Sequence, residues 1–258
     1  MDDEFVGVCH AVIAGVAPDL KVIDITHGIP PHDVRGGALA LLRAVQYLPD
    51  GAVVLAVVDP GVGTDRLGIA LRTEHRFYVG PDNGLLSPAV AMEGGALEAV
   101  VLDSDEHRLP TPGGATFDGR DVFAPAAAFL ATGMALHELG TAIDPVALLP
   151  LLLPLPGVEP GGGLAAQVLW IDRFGNAQLN VSPDELVEIG AVPGEQIEVT
   201  SSGISRLARW EESFGHGEQG ELLVVVDSYG LVAVVARRGR AIDALPLLTG
   251  AGVTLRVT

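Results

Sequence analysis

The stretch "AVVLAVVDPGVGTDR", residues 52–66, joins an apolar run to a polar, glycine-rich turn. Residues 52–58 are all apolar, which is typical of a strand buried on both faces of a sheet. Asp59 follows at the predicted end of that strand, and Gly61 and Gly63 then allow the backbone to turn closely around a ligand. Because ligands of open α/β sheets bind beyond the carboxyl ends of the strands, this turn is a candidate site.

Arg66 ends the stretch, seven positions after Asp59. Its planar cation fits a carboxylate or a small polar reactant, so the two side chains form a candidate catalytic pair. A turn that is stabilised by a structural ion pair contains the same two residue types. These residues by themselves leave both interpretations open.

Two further polar turns follow apolar segments, "VGPDNGLL" at 79–86 and "GATFDGRDVFAP" at 114–125. Asp82 and Asn83 in the first turn suit a functional site and a turn-stabilising network equally well. Asp121 in the second suits the first turn of a helix, where the helix dipole favours an acid. Three polar turns after three apolar segments favour a shared site over an isolated ion pair.

The elements around these turns alternate between helix and strand. Helical spacing is predicted for residues 2–17, 34–48 and 119–133, and strands for residues 21–26 ("KVIDIT"), 52–59, 68–72, 76–80 and 97–102. Such alternation is typical of α/β folds. We therefore predict an N-terminal three-layer α/β domain with a mostly parallel sheet, over residues 1–153.

The second half of the chain has a different pattern. A Pro/Gly-rich segment, "LLPLLLPLPGVEPGGG", precedes it, and residues 154–163 are predicted to be a linker. Short strands are then predicted at 164–172, 176–181, 194–203, 204–210, 221–228, 230–236 and 252–257. We predict that residues 164–258 form a separate, small β-barrel domain.

Composition limits the possible partners and the compartment. The chain of 258 residues has a formal net charge of -18, which disfavours nucleic acid and anionic membrane surfaces as partners. Its single cysteine, Cys9, excludes an internal disulfide framework and a multi-cysteine zinc site, as expected in a reducing cytosol. The start "MDDEFVG" is acidic, unlike a signal peptide, and the apolar tract 146–156 contains three prolines. A cytoplasmic protein is expected.

Five stretches in the same order carry a family resemblance. They are "VIDITHGIPPHDVRGGALAL" (22–41), "VVDPGVGTDR" (57–66), "YVGPDNGLL" (78–86), "TFDGRDVFAPAAA" (116–128) and "IDRFGNAQLN" (171–180). Together they resemble the S-adenosylmethionine hydroxide adenosyltransferases, which are related to fluorinases and chlorinases. The resemblance covers nearly the whole chain. It is very specific for the family and less so for the reaction, because the family contains both hydrolases and halogenases.

The resemblance implies a fold, an assembly and a reaction. An N-terminal α/β domain and a C-terminal β-barrel domain would form a homotrimer that binds substrate between the N-domain of one subunit and the C-domain of the next. Water or hydroxide would attack the 5' carbon of S-adenosylmethionine and form adenosine and methionine, with no cofactor and no metal. Two alternatives stay open, a halide-dependent adenosyltransferase and a non-catalytic protein that binds adenosine or S-adenosylmethionine.

The resemblance also implies catalytic positions. Family hydrolases use an Asp-Arg-His set, whose aspartate and arginine match Asp59 and Arg66, whereas halogenases have a tyrosine at the first position. The usual histidine is replaced here by Asp118, which either acts as a base or only holds Arg66. Phe117 and Gly119, on either side of Asp118, match substrate-binding positions.

Further substrate-binding positions are implied in the second domain. The matching residues are Asp172, Phe174, Asn176 and Ser228, which offer a partner for an ammonium group, a face for stacking on a purine, and a donor and acceptor for a base edge. Without the resemblance, Phe174 would be interpreted as a core residue and Asn176 as a turn residue.

The start of the chain departs from the family pattern. Family members open with a strand that ends in Thr-Asp-Phe-Gly, whose aspartate holds the ribose hydroxyls, and the sequence here begins after it. Either the start is placed too late, or the protein has lost a strand and a ribose ligand. We favour a misplaced start, because losing a strand exposes apolar surface and unpaired backbone groups.

Overall fold

The computed structural model describes residues 3–110, 114 and 116–258. Position 2 of the predicted first helix and position 115 of the third polar turn therefore lie outside the described residues. The chain divides into two compact units, an N-terminal unit up to Leu151 and a C-terminal unit from Leu152 to Thr258. In the described part of the chain, no helix has both the length and the apolar composition needed to cross a membrane.

The N-terminal unit contains helices and a five-stranded sheet. In chain order its main elements are α1 (Phe5–Val16), α2 (Val34–Val45), β1 (Val53–Leu55), β2 (Gly68–Arg72), β3 (Phe77–Pro81), α3 (Ser87–Met92), β4 (Glu98–Val101), a π-helix (Gly119–Phe123) that continues into α4 (Ala124–Ala131), and β5 (Thr141–Ile143). Short 3-10 turns lie at Asp105–His107, Leu136–Leu139 and Pro145–Ala147.

Strand directions in this sheet differ from the prediction. The strand order is β1-β3-β2-β4-β5, and among the described strands of this sheet only the β1–β3 pairing is parallel. The prediction of a mostly parallel sheet is therefore wrong. The connection between β2 and β3 spans only residues 73–76, too short for the crossover that parallel neighbours require.

Helices cover both faces of the sheet, so the predicted α/β class and its three layers are confirmed. Side chains alternate along β2: Ile69 and Leu71 pack with buried residues of α2 and α3, whereas Ala70 packs with the π-helix and α4. Tyr78 and Val79 of β3 divide between the two faces in the same way. This period of two is what a strand between two apolar layers requires.

The segment "KVIDIT" is not a strand, which corrects the prediction for residues 21–26. All six of these side chains are exposed, and Val22, Ile23 and Ile25 are exposed by 42%, 57% and 51%. Strand propensity mainly reflects packing on a pleated surface next to a paired strand. Within the described sheet, β1 forms the edge and pairs with β3 alone.

The C-terminal unit is a closed barrel of seven strands with two short helices. Its elements are β6 (Gly157–Val158), β7 (Leu164–Ile171), β8 (Ala177–Leu179), α5 (Pro183–Glu188), β9 (Gln196–Ser201), β10 (Ile204–Trp210), β11 (Leu222–Val226), β12 (Val232–Ala236), α6 (Ala241–Ala244) and β13 (Gly252–Val257). The ring runs β13-β9-β10-β11-β12-β8-β7 and closes through β7–β13, with β6 added beside β7. The predicted barrel and its strands are confirmed.

Neither helix of this unit was predicted, although the sequence of α5 contains a helix signal. Ser182 caps α5 and accepts a hydrogen bond from the Glu185 backbone N–H, while the Glu185 carboxylate accepts one from the Ser182 N–H. This reciprocal pattern is a capping box, and "SPDE" is its sequence signature.

Candidate active site

The loop after β1 carries the first two predicted catalytic residues. Asp59 Oδ1 accepts a hydrogen bond from the Gly61 N–H at 3.2 Å, and the Thr64 hydroxyl donates to the Gly61 carbonyl at 2.7 Å. Gly63 has a φ of 77°, a backbone conformation that L side chains rarely adopt. These local bonds turn the chain back so that Arg66 faces Asp59.

Arg66 and Asp59 form a two-pronged ion pair. Arg66 Nε donates to Asp59 Oδ1 at 3.1 Å, and Nη2 donates to Asp59 Oδ2 at 2.6 Å. The Arg66 and Asp59 side chains are only 9% and 7% exposed. This bidentate geometry fixes the plane of the guanidinium.

Asp118 contacts the same guanidinium from a distant part of the sequence. Arg66 Nη2 donates to Asp118 Oδ2 at 2.6 Å, and the Asp118 side chain is 21% exposed. Asp118 directly precedes the π-helix, which packs beside β3 and α4. The structure thus brings together the three predicted catalytic residues, two carboxylates around one cation.

Phe123 is a neighbour of this group that the sequence analysis missed. The Cζ atom of Arg66 lies 5.4 Å from the centroid of the Phe123 ring, and Phe123 is fully buried. A cation near an aromatic face is attracted by the ring quadrupole. Phe123 lies in the apolar sequence of the predicted helix, and nothing in that sequence indicated that its ring borders the site.

Burial shapes the electrostatics of Asp59. Desolvation raises the pKa of the Asp59 carboxyl and the nearby Asp118 carboxylate adds to the rise, while Arg66 and the Gly61 N–H oppose it. Both carboxylates already contact Arg66, whose positive charge disfavours a metal cation here. The arrangement is suited to holding a water molecule and stabilising negative charge on it.

Phe117 and Gly119, which flank Asp118 in the sequence, pack against nearby side chains. The Phe117 ring lies 4.8 Å from the Phe5 ring of α1, and the Arg120 guanidinium lies 5.1 Å from the Phe117 centroid. Gly119 is buried, and a Cβ there would come within 3.2 Å of the Phe117 ring. A larger residue at 119 would therefore displace Phe117.

Polar residues of the turn at 79–86 make structural contacts. Asn83 Nδ2 donates to the Val58 carbonyl at 2.9 Å, and Asp82 Oδ1 accepts from the Leu149 N–H at 2.9 Å. Burial raises the pKa of the Asp82 carboxyl, and the Leu149 hydrogen bond opposes the rise. These bonds match the turn-stabilising interpretation of this segment.

Three predicted substrate-binding residues of the C-terminal unit share the β7–β8 turn. Asp172 Oδ1 accepts from the Phe174 and Asn176 N–H groups at 2.8 and 2.9 Å, and its Oδ2 accepts from Asn176 Nδ2 at 2.8 Å. Phe174 is 61% exposed and stacks near Arg173, so the interpretation of Phe174 as a core residue is wrong. The turn is ordered by Asp172 and presents an aromatic face.

Ser228 does not lie with these three residues. It is exposed in the turn between β11 and β12, at the start of β12. The β7–β8 turn lies near the other end of β12, where the Gly175 carbonyl accepts from the Ile242 N–H at 3.3 Å. Ser228 therefore belongs to a different turn from Asp172, Phe174 and Asn176, and Gln178 Nε2, two positions after Asn176, donates to Asp227 beside Ser228.

Family comparison decides the relationship of this chain to known proteins. The family model for the SAM hydroxide adenosyltransferase N-terminal domain matches residues 1–140, and that for the C-terminal domain matches residues 166–254. The chain belongs to the SAM hydroxide adenosyltransferase family. The resemblance predicted from the five sequence stretches is thereby confirmed.

Similar proteins from this family span the full chain. An (R)-S-adenosyl-L-methionine hydrolase from Salinispora tropica is 47% identical over 99% of this chain and 93% of its own length. A fluorinase from an Actinoplanes species is 26% identical, again over 99% of this chain and 93% of its own. A crystal structure of an uncharacterised conserved protein from Thermotoga maritima has a TM-score of 0.90 at 31% identity, covering 99% and 96% of the two chains.

Proposed function

We propose that this protein hydrolyses (R)-S-adenosyl-L-methionine to adenosine and L-methionine. The observation that carries the proposal is Arg66 held between Asp59 and Asp118 in a member of this family. The Salinispora relative, at 47% identity, is named for that substrate and for hydrolysis. The halogenase matches are more distant, at 26% identity for the Actinoplanes fluorinase.

The chemistry requires an activated nucleophile rather than an acid. Methionine leaves the 5' carbon as a neutral thioether, so no leaving-group proton is needed. Water is a weak nucleophile until it loses a proton. In our proposal Asp59, whose pKa is raised by burial, orients the water and takes its proton as the oxygen bonds to the 5' carbon, and Arg66 stabilises the negative charge that develops on that oxygen.

Asp118 has a supporting role in this proposal. It approaches Arg66 through Oδ2 on the same Nη2 atom that Asp59 uses, so the cation is fixed from two sides. Asp118 contacts one Arg66 nitrogen, whereas Asp59 contacts two, so Asp118 is proposed to hold the guanidinium in place. The greater burial of Asp59 makes it the better candidate for contact with the water.

Charge argues against a halide nucleophile. Two carboxylates surround one guanidinium, so the group has a formal net charge of −1 when all three side chains are ionised. Chloride or fluoride would be repelled, whereas neutral water would not. Water enters as a neutral molecule and gives its proton to a carboxylate as it attacks, so no free anion has to approach this group.

Substrate recognition is proposed to involve the β7–β8 turn. Phe174 is large, aromatic and 61% exposed, which suits stacking on an adenine face. The Asp172 carboxylate and the Asn176 amide lie beside it and suit polar groups of the substrate. Phe117, Gly119 and Ser228 remain proposed substrate contacts that rest on the family resemblance.

A homotrimer in the cytosol completes the proposal. Its support is the family resemblance together with exposed apolar side chains in each unit. Val146 in the N-terminal unit is 90% exposed, and Leu152 and Leu155 in the C-terminal unit are 85% and 89% exposed. Apolar surface of this kind is typical of faces that bind another protein. A single cysteine without a disulfide partner fits a reducing compartment.

The decisive experiment is hydrolysis in water labelled with oxygen-18. We expect adenosine and methionine in equal amounts, with the label in the 5'-hydroxyl of adenosine and with (R)-S-adenosyl-L-methionine consumed faster than the S epimer. Chloride and fluoride should not increase turnover. Label-free adenosine would contradict attack of water at the 5' carbon.

Two other outcomes would replace the proposal. Halogenated adenosine formed only when halide is present would establish a halide-dependent adenosyltransferase. Stoichiometric binding without adenosine over hours would establish a binding protein. Calorimetric titration with substrate, run on the same preparation, separates an inactive binder from a protein that does not bind at all.

A further inference from the structure

Three side chains outside the candidate active site converge on one point. His10 lies on α1, and Asp24 and His27 lie in the segment that follows it. His10 Nε2 is 3.0 Å from Asp24 Oδ1, and His27 Nε2 is 2.8 Å from the same oxygen. All three atoms lie within 4.8 Å of one another.

Two imidazole nitrogens and one carboxylate oxygen are a common donor set for zinc. Zinc binds histidine and carboxylate at about 2.0–2.2 Å, and sites with three protein ligands keep a water at the fourth position. The side chains of His10, Asp24 and His27 are 39%, 44% and 35% exposed, which leaves space for ring rotation and for that water. The described arrangement needs only small movements to surround an ion.

Asp24 is the shared partner of both histidines. Its Oδ1 atom lies within hydrogen-bond distance of both imidazole Nε2 atoms, so the three side chains already meet at one point. Histidine and aspartate bind zinc in their deprotonated forms, so proton release is expected when the ion binds. A divalent cation would take the place of the protons in the two His–Asp hydrogen bonds, and the three side chains would stay near their present positions.

We propose that His10, Asp24 and His27 bind one Zn²⁺ ion, which joins α1 to the segment that follows it. Residues 21–26 have no strand pairing in the described structure and expose Val22, Ile23 and Ile25. An ion held by both parts would limit the movement of this segment. The proposed site has three protein ligands and a position for water, takes no part in the proposed hydrolysis and does not depend on it.

The test is metal binding by the full chain after treatment with a chelator. Zinc is titrated by calorimetry in physiological salt with excess magnesium, which suppresses non-specific binding to a protein of net charge -18. We expect one ion per chain and a rise in Tm with zinc. Cobalt(II) at the same site should give the intense visible bands of tetrahedral coordination.

Substitutions identify the ligands. His10→Ala, His27→Ala and Asp24→Ala should each weaken zinc affinity at least ~10-fold, since losing even an outer partner of a ligand costs about 10–100-fold. His75→Ala is the matched control: His75 is also a partly exposed imidazole beside an aspartate, 3.3 Å from Asp50, but it lacks the second histidine. Its affinity should equal that of the wild type.

Several results would overturn the proposal. These are no saturable zinc binding, an octahedral cobalt spectrum, or equal affinity in the wild type and the His10→Ala and His27→Ala variants. Circular dichroism shows whether each variant is folded. If a variant does not fold, the stoichiometry and cobalt spectrum of the wild type still decide the question.

Discussion

Arg66 and Asp118 are 52 positions apart in the sequence, yet Arg66 Nη2 lies 2.6 Å from Asp118 Oδ2. Asp59 contacts the same Nη2 atom at the same distance, so the cation has a carboxylate on two sides. This relationship decides how each acid is expected to respond to substitution. Asp59 is the more buried of the two acids and contacts two Arg66 nitrogens. In our proposal it therefore lies closest to the reacting water.

Replacing Asp118 tests its supporting role. In Asp118→Asn we expect kcat to fall by well under ~10³-fold with KM nearly unchanged, because an amide oxygen still accepts from Arg66 and general-base loss typically costs about 10²–10⁴-fold. Asp118→His restores the residue of the usual hydrolase set and should raise kcat. Steady-state kinetics measures both, with the exposed Asp105→Asn as the control. A fall of ~10³-fold or more in Asp118→Asn would identify Asp118 as the base.

Asp59 should produce an acidic limb in the pH profile. Burial raises its pKa above the ordinary value of about 3.9, so the active carboxylate is present above the raised pKa and is lost as the pH falls through it. We expect kcat/KM to rise with pH along this limb, and we expect Asp59→Asn to remove the limb and lower kcat by about 10²–10⁴-fold. An unchanged limb in the variant would assign it to another group.

Arg66→Lys tests the geometry of the cation rather than its charge. Lysine keeps the charge but cannot contact Asp59 through two nitrogens and reach Asp118 at once. We expect kcat/KM to fall by about 10²–10³-fold, the cost of losing a preorganised donor to an oxyanion. Arg72→Lys, which alters an exposed pair with Glu98, should leave kcat/KM unchanged. Equal activity of both variants would contradict this role of Arg66.

Phe174→Ala tests the proposed adenine contact. Because stacking on a base contributes about 1–3 kcal/mol, we expect KM to rise by roughly 10-fold with little change in kcat or Tm. The matched control is Phe214→Ala, which removes another exposed phenylalanine, 49% exposed against 61% for Phe174. A drop in Tm without a rise in KM would instead show that Phe174 is structural.

Assembly is tested by dilution. Analytical ultracentrifugation should detect a trimer, and activity per chain should fall as the trimer dissociates, because the resemblance places substrate groups from two subunits in each site. Leu155→Asp, which puts a charge on an 89% exposed apolar side chain, should favour the monomer. A fully active monomer would contradict the shared site.

Much of the fold and part of the site follow from local pattern. Seven strands of the barrel were predicted because alternating apolar residues and intervening turns are visible in short windows. The Asp59–Arg66 pair was predicted because a turn of seven positions brings its own ends together. The strand at 21–26 was predicted wrongly, since β propensity gives no information on whether a neighbouring strand is present to pair with it.

The sequence by itself determined the α/β and barrel units, the family, and the turn that joins Asp59 to Arg66. The tertiary structure alone decided the mostly antiparallel pairing of the N-terminal sheet, the approach of Phe123 to Arg66, and the meeting of His10 with Asp24 and His27. The physical reason is how far apart in the sequence the contacting residues are. Hydrogen bonds of a turn and the period of a strand depend on residues close in sequence, whereas these contacts depend on how complete elements pack.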